Sequence, residues 1–369
     1  MSSNDKHIQA VKLLQELIAI PSFSKEETQT AELLERTLQS QGIATHRQGN
    51  NVWAKNKHWQ EGLPTLLLNS HHDTVKPAKG WQRNPFEPTI EEGCLFGLGS
   101  NDAGASLVSL LMSFIHFHPK TDLAFNLIFA APAEEEISGP NGIASLLPVL
   151  GPIDLAIVGE PTQMRMAIAE KGLMVIDGEA QGKAGHAARE EGINALYIAL
   201  EDIDKIRNYQ FEKRSPLLGP IKMTVTQIRC GSQHNVVPDH CQFVIDVRTN
   251  EHYSNQEVFD ILQQLLRSSL KARSFRLNSS GIALDHPFVQ AGLACGLDYY
   301  GSPTLSDQAL LPFSSLKIGP GKSARSHTAD EFIRLEEIEQ GIQTYIRLLE
   351  TYGAAQLKQS KPSAQTRTL

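Results

Sequence analysis

Thr65-Leu66-Leu67-Leu68-Asn69-Ser70-His71-His72-Asp73 is a short apolar run that stops on metal-ligand residue types, and two later stretches repeat the pattern. NLIFAAPAEEE (residues 126–136) ends in Glu134, Glu135 and Glu136, and LAIVGEPT (155–162) carries Glu160. The apolar runs Leu66–Leu68, Leu127–Ala130 and Leu155–Val158 lack polar alternation, so each reads as a strand buried on both faces. Residues 103–117 have helical spacing and lie between the first two. Strands separated by helices predict an α/β fold with a mostly parallel, helix-covered sheet. In open sheets of this kind, ligands gather outside the carboxyl ends of the strands. The imidazoles and carboxylates of the three runs are therefore expected at one rim.

Working outward, residues 5–20 place Ile8, Val11, Leu14, Leu17 and Ile18 at helical spacing, with Pro21 as the stop. Ser24 followed by Glu27 predicts a capping box for a second helix, closed by Gly42. Past Gly172 the pattern changes. Residues 173–178 read as a strand, 192–209 as a helix, and 221–228 and 241–247 as alternating strands. Residues 254–270 read as a helix and 274–277 as a last strand. This β-α-β-β-α-β order predicts a ferredoxin-like α+β unit inserted in the larger domain. The expected division is 1–172 and 281–355 for the catalytic domain, 173–280 for the insert and 356–369 for a polar flexible tail. A closing helix is expected around Leu335, Ile338, Ile342, Tyr345 and Leu349.

Composition excludes several classes. The 369 residues are 41% hydrophobic, and with 27 glycines the apolar share is about 48%, in the globular range. Net charge is −7 without a basic run, so no nucleic-acid surface is visible. The first residues lack the apolar core of a signal peptide, and no run approaches a membrane span of ~18 residues. A cytoplasmic protein is expected. Cys94, Cys230, Cys241 and Cys295 are too few for a disulfide scaffold and lack metal-type spacing. No Walker or dinucleotide glycine motif is present.

Singly, the rim residues have plainer readings. His71 could be a hydrogen-bonded surface imidazole, Glu134–Glu136 a solvated loop, Asp102 a helix N-cap and Glu160 a turn residue before Pro161. Together they point to a cation, because converging carboxylates repel one another without one. Asp102, in GLGSND (97–102), and His327, in GPGKSARSH (319–327), are candidates for the same rim.

The ordered segments SHHDTV, GLGSNDAGAS, EEEISG, GEPT, GKAGHAA, NVVPDHCQFVIDVR and GPGKSARSHTADE resemble the co-catalytic zinc deacylases and exopeptidases. That family includes acetylornithine deacetylase, succinyl-diaminopimelate desuccinylase, aminoacylase and glutamate carboxypeptidase. The likeness spans about residues 20–349 and is greatest to the acetylornithine deacetylases. It implies two zinc ions, with cobalt or manganese as substitutes. His71, Asp102, Glu136, Glu160 and His327 would be the ligands, with Asp102 shared between both ions. Asp73 would orient His71, and Glu135 would be the general base that activates water. His72 would not be a ligand. His186 would assist the oxyanion, delivered by a second subunit or by closure of the inserted lid or dimerisation domain. Asn235 and Arg248 would bind the substrate carboxylate. Leu305 departs from the family's Thr in a substrate-binding pattern seen here as Thr304-Leu305-Ser306-Asp307. The implied activity is deacylation of an N-acyl amino acid such as N-acetylornithine, N-acetylcitrulline or N-succinylornithine in arginine biosynthesis, by a homodimer. A dipeptidase or carboxypeptidase with the same centre, and a non-catalytic binding relative, are the alternatives.

Overall fold

The apolar runs form strands Thr65–Asn69, Asn126–Ala131 and Leu155–Val158, in which every residue is buried. The computed structural model that shows this describes residues 2–359. Thr65–Asn69 pairs in parallel with both of the others. Ser315–Lys317 extends the sheet in parallel beyond Leu155–Val158, while Asn51–Lys55 joins Asn126–Ala131 antiparallel. The sheet is thus mixed, with its parallel strands at the centre. Leu66 and Leu68 face one hydrophobic cluster and Leu67 the other, as the two-residue period of a strand requires. Helices Ser3–Ile18, Ala105–Phe117 and Leu335–Gln359 supply Leu14, Phe114 and Tyr345 to the first cluster. Ile143–Leu150 covers the second.

The chain divides into two compact units. One comprises the residues up to Ile168, Gly281–Tyr300 and the chain from Ser306; the other is Ala169–Ser280 with Gly301–Leu305. In the second unit the strands Met174–Gln181, Lys222–Cys230, His240–Arg248 and Ser269–Ala272 form one antiparallel sheet. Its order, with His240–Arg248 and Met174–Gln181 central, is the ferredoxin-like one. Helices Ala195–Asn208 and Asn255–Leu265 pack Ala199, Ile206, Val258 and Leu262 against Ile176, Phe243 and Ile245.

Several local expectations are corrected. The second helix spans Thr28–Ser40, but Glu27 at its N-cap makes no side-chain cap and Ser24 lies outside it. Both side chains are recruited elsewhere, as described below. Gly42 closes that helix at φ 70°, with the Ile43 N–H donating back to Leu38 O. The helix after the glycine-rich turn starts at Ala105 rather than 103, and its N-cap is Gly104, so Asp102 is not spent on capping.

The helix expected over 254–270 ends at Leu265, and the following strand is Ser269–Ala272 rather than 274–277. The cause is remote in sequence. The buried Asp202 carboxylate accepts from the Arg267 and Ser268 amides and from Ser268 Oγ, at 2.8–3.1 Å, and so turns the chain. The alternation predicted for 221–228 slips at a bulge between Val225 and Gln227. The last helix runs on through Gln359, into the segment expected to be a flexible tail; residues 360–369 lie outside the described part.

Candidate metal centre

Each strand contributes to the site by ending. Beyond Thr65–Asn69, the Ser70 and His72 amides donate to the Ala130 and Pro132 carbonyls at 3.2 Å, which holds the His71 segment against its neighbour strand. The Gly159 amide donates to Asn69 O at 2.7 Å and ties the turn before Glu160 to the same place. Glu134 takes a left-handed conformation, φ 56°, that swings Glu135 and Glu136 into one tight turn. Its carboxylate is occupied by the Asn141 side chain at 2.9 Å, which braces the turn. Asp102 lies in the irregular turn Ser100–Gly104 with an extended backbone.

These turns bring seven predicted residues together. His71 Nε2 stands 3.6 Å from Asp102 Oδ1, 3.8 Å from Glu135 Oε2 and 3.9 Å from Glu160 Oε1. On the other side, His327 Nε2 is 3.0 Å from Glu136 Oε2 and 3.7 Å from Asp102 Oδ2. The two oxygens of Asp102 therefore face two different histidines. Among the described residues, two groups have ligand atoms mutually within 4.8 Å: His71, Asp102 and Glu136, and His71, Glu135 and Glu160. The first contains three of the expected ligands. The second contains the expected base Glu135 as well as Glu160, so proximity alone does not separate base from ligand.

Asp73 holds the arrangement from behind. Its Oδ1 lies 3.4 Å from His71 Nδ1 and accepts from the Glu135 amide at 3.0 Å. Its Oδ2 accepts from the Glu136 amide at 3.2 Å and from Ser24 Oγ at 2.7 Å. His71 Nδ1 is also 2.9 Å from the Asp73 carbonyl oxygen, which makes that nitrogen the natural donor and leaves Nε2 for a ligand. His72 instead spends both ring nitrogens on Thr30 Oγ1 and Asn50 O, each at 2.9 Å.

Three supporting residues were not legible as such. Glu331 is buried and accepts from the Gly99, Asn101 and Asp102 amides at 2.8–3.1 Å, fixing the turn that presents Asp102. Glu27 takes the Glu134 amide at 3.2 Å. Gly319 lies so close to Ser106 Oγ and the Glu160 carbonyl that a Cβ there would overlap both. Glu331 closes the GPGKSARSHTADE segment, and that placement was the only local signal.

Burial and like charge set the electrostatics of the cluster. Burial, then Asp102, pushes Glu160 up to about 8, with His71 and Lys317 pulling the other way. Burial likewise raises Glu135 well above the carboxylate range, reinforced by Glu160, Asp307 and Glu136. His71 is raised well above its usual value: burial opposes its charge, but Glu135, Asp102 and Asp73 outweigh that. The hydrogen bond to Glu136 lifts His327 to about 9. The converging carboxylates thus raise one another and the two imidazoles beside them. A donor set of imidazoles and carboxylates suits zinc, cobalt or manganese, so the residues fit a divalent-metal site.

Peptidase family M20/M25/M40 matches residues 67–351. The chain belongs to that family. This bears out the resemblance read from the motifs and makes the protein a member of a metallo-hydrolase family. The M20 chain is 25% identical over 366 residues to succinyl-diaminopimelate desuccinylase of Stenotrophomonas maltophilia, covering 91% of this chain and 96% of that one. Its fold is that of the aminopeptidase PepT of Bacillus cereus, with TM-score 0.76, 17% identity and coverage of 94% and 98%. A dinuclear metal-binding M20 peptidase of Bacillus subtilis superposes with TM-score 0.72 at 16% identity, covering 95% and 99%.

The other three predicted residues of the M20 chain lie in its second unit. His186 is exposed on a two-residue strand opposite Val236, and the Ala187 amide donates to Asn235 O at 2.9 Å, so His186 and Asn235 are neighbours. Arg248 donates through Nε and Nη2 to Asp246, at 2.8 and 3.1 Å. Among the described residues no helix is long and apolar enough to cross a membrane.

Proposed function

We propose that the chain hydrolyses the amide of an N-acyl amino acid at a two-cation centre, freeing the amine and a small carboxylate. The observation that carries this is the placement of the two Asp102 oxygens toward His71 and His327. That is the disposition a carboxylate shared by two ions needs. His71, Asp102 and Glu160 would hold one cation, and Asp102, Glu136 and His327 the other. Bound there, zinc or a similar divalent ion would polarise the acyl carbonyl and lower the pKa of a water molecule.

The chain's own residues would do the rest. Glu135 takes the proton from the attacking water and passes it to the leaving amine, a role its proton-retaining environment supports. Asp73 keeps His71 in one tautomer. His186, brought from a second subunit of a homodimer or by closure of the inserted unit, donates to the developing oxyanion. Arg248 and Asn235 take the substrate carboxylate, for which the Arg248 guanidinium must exchange Asp246 for the ligand.

N-Acetylornithine, N-acetylcitrulline or N-succinylornithine is the proposed substrate, which would place the protein in arginine biosynthesis. A second reading is favoured by the desuccinylase relative that matches 91% of this chain: removal of succinyl from N-succinyl-diaminopimelate. The test is kcat/KM on these four compounds and on an unmodified dipeptide, with protein loaded with zinc, cobalt or manganese. The highest value on an N-acylornithine or N-acetylcitrulline upholds the first reading, and on N-succinyl-diaminopimelate the second. A higher value on the dipeptide replaces both with a peptidase. No turnover with any metal, together with no metal retained, would leave a binding relative.

A further inference from the structure

Lys222–Cys230 and His240–Arg248 pair antiparallel, and their ladder ends with Cys230 directly opposite Cys241. Opposed residues on such strands share a face and have Cα atoms about 4.5–5.5 Å apart. A disulfide spans Cα separations of ~4.4–6.8 Å. Cys241 is buried in the core of the second unit, while Cys230 is partly open on the edge strand. The two thiols are in hydrogen-bonding contact, and Cys230 Sγ also donates to His240 O at 3.4 Å. Cys94 and Cys295 lie in the other unit.

We propose that Cys230 and Cys241 close reversibly into a cross-strand disulfide that staples the base of the hairpin carrying Asn235. That hairpin is tied to the His186 segment. Val236–Val237 pairs with Gly185–His186, and the Gly182 and Ala195 amides donate to Asp239 O and Pro238 O at 2.8 Å. A bond at its base restrains the hairpin that holds Asn235 and, through these pairings, the segment that holds His186.

The chemistry is thiol–disulfide exchange with a low-molecular-weight disulfide, RSSR. The Cys230 thiolate attacks one sulfur of RSSR, the S–S bond breaks, and the departing thiolate takes up the proton Cys230 lost. The Cys241 thiolate then attacks the Cys230 sulfur, releasing the second RS⁻, which leaves as RSH. Two protein thiols are oxidised and one disulfide is reduced to two thiols. Burial pushes the Cys241 thiol up to about 12. Cys230, the more exposed of the two thiols, is therefore the one that meets RSSR first.

Any effect on hydrolysis rests on the function proposed above; the bond itself does not, so the experiment counts thiols. The full-length protein is incubated with oxidised glutathione, denatured and titrated for free thiols. Two of the four thiols are expected to disappear, with a mass loss of two hydrogens on a peptide pair linking positions 230 and 241. Dithiothreitol restores both. Amide exchange across residues 231–239 slows by about an order of magnitude in the oxidised form. A Cys94→Ser/Cys295→Ser double variant loses its two remaining thiols in the same way, and Cys230→Ser loses none by this route. Retention of all four thiols, a stable glutathione adduct on Cys230, or a link between two chains overturns the proposal.

Discussion

Asp102 has one role available to it because other residues satisfy its surroundings. Gly104 caps the following helix, and Glu331 gathers the three amides of the turn. Glu331→Gln keeps the shape but replaces one accepting oxygen with an NH₂ group that faces amide donors. The Asp102 turn then loses its fixed position. Metal affinity is expected to fall about 10–100-fold, the usual effect of removing a residue that orients a ligand. Competition with a chromophoric chelator measures it, and circular dichroism checks that the fold is retained. An unchanged affinity would mean that Asp102 is held by other means. Ser24 and Glu27 teach the complementary lesson. Their spacing is that of a helix cap, yet Ser24 binds Asp73 and Glu27 binds the Glu134 amide, because those long-range partners offer charge-assisted bonds.

Elements whose signal is periodic were legible; elements ended by a distant partner were not. The three central strands and the helices Ser3–Ile18 and Leu335–Gln359 announce themselves by runs and spacing alone. The end of the helix Asn255–Leu265 does not, since it depends on Asp202 in another helix. Asp202→Ala leaves two amides and a hydroxyl near residue 268 without their acceptor. It is expected to destabilise the chain by about 2–4 kcal/mol, read from denaturant unfolding. The bonds to Ser268 and Arg267 hold the Asp202 carboxyl below its usual value, against the opposing effect of burial. Its contribution is therefore complete above pH ~4 and is lost only as pH falls through the lower folded value. A loss well under 1 kcal/mol would assign the turn to the chain after Leu265.

For the whole molecule the decisive quantity is the charge gathered at the rim. Glu160 at about 8 and His327 at about 9 both lie above their unfolded values, so the metal-free fold holds protons there at neutral pH. Groups raised in this way favour the folded state at low pH and cease to do so as pH rises through the folded values. The metal-free protein is expected to lose thermal stability between pH ~5 and ~9, while the stabilisation by added zinc grows over the same range. Each cation bound at pH 7 should release protons. Calorimetric titration in two buffers of different ionisation enthalpy checks this, and a heat independent of buffer would contradict it.

The sequence by itself determined the α/β class, the rim at which the ligand types gather and the ferredoxin-like order of the second unit, because run length, period and strand-end position are local properties. Only the tertiary structure decided that Asp102 faces two histidines, that Glu331 and Ser24 serve the site, and that Cys230 meets Cys241. Those pairings depend on register and on turns closed by remote partners, and side chains far apart along the chain leave no periodic trace of the contact they will make.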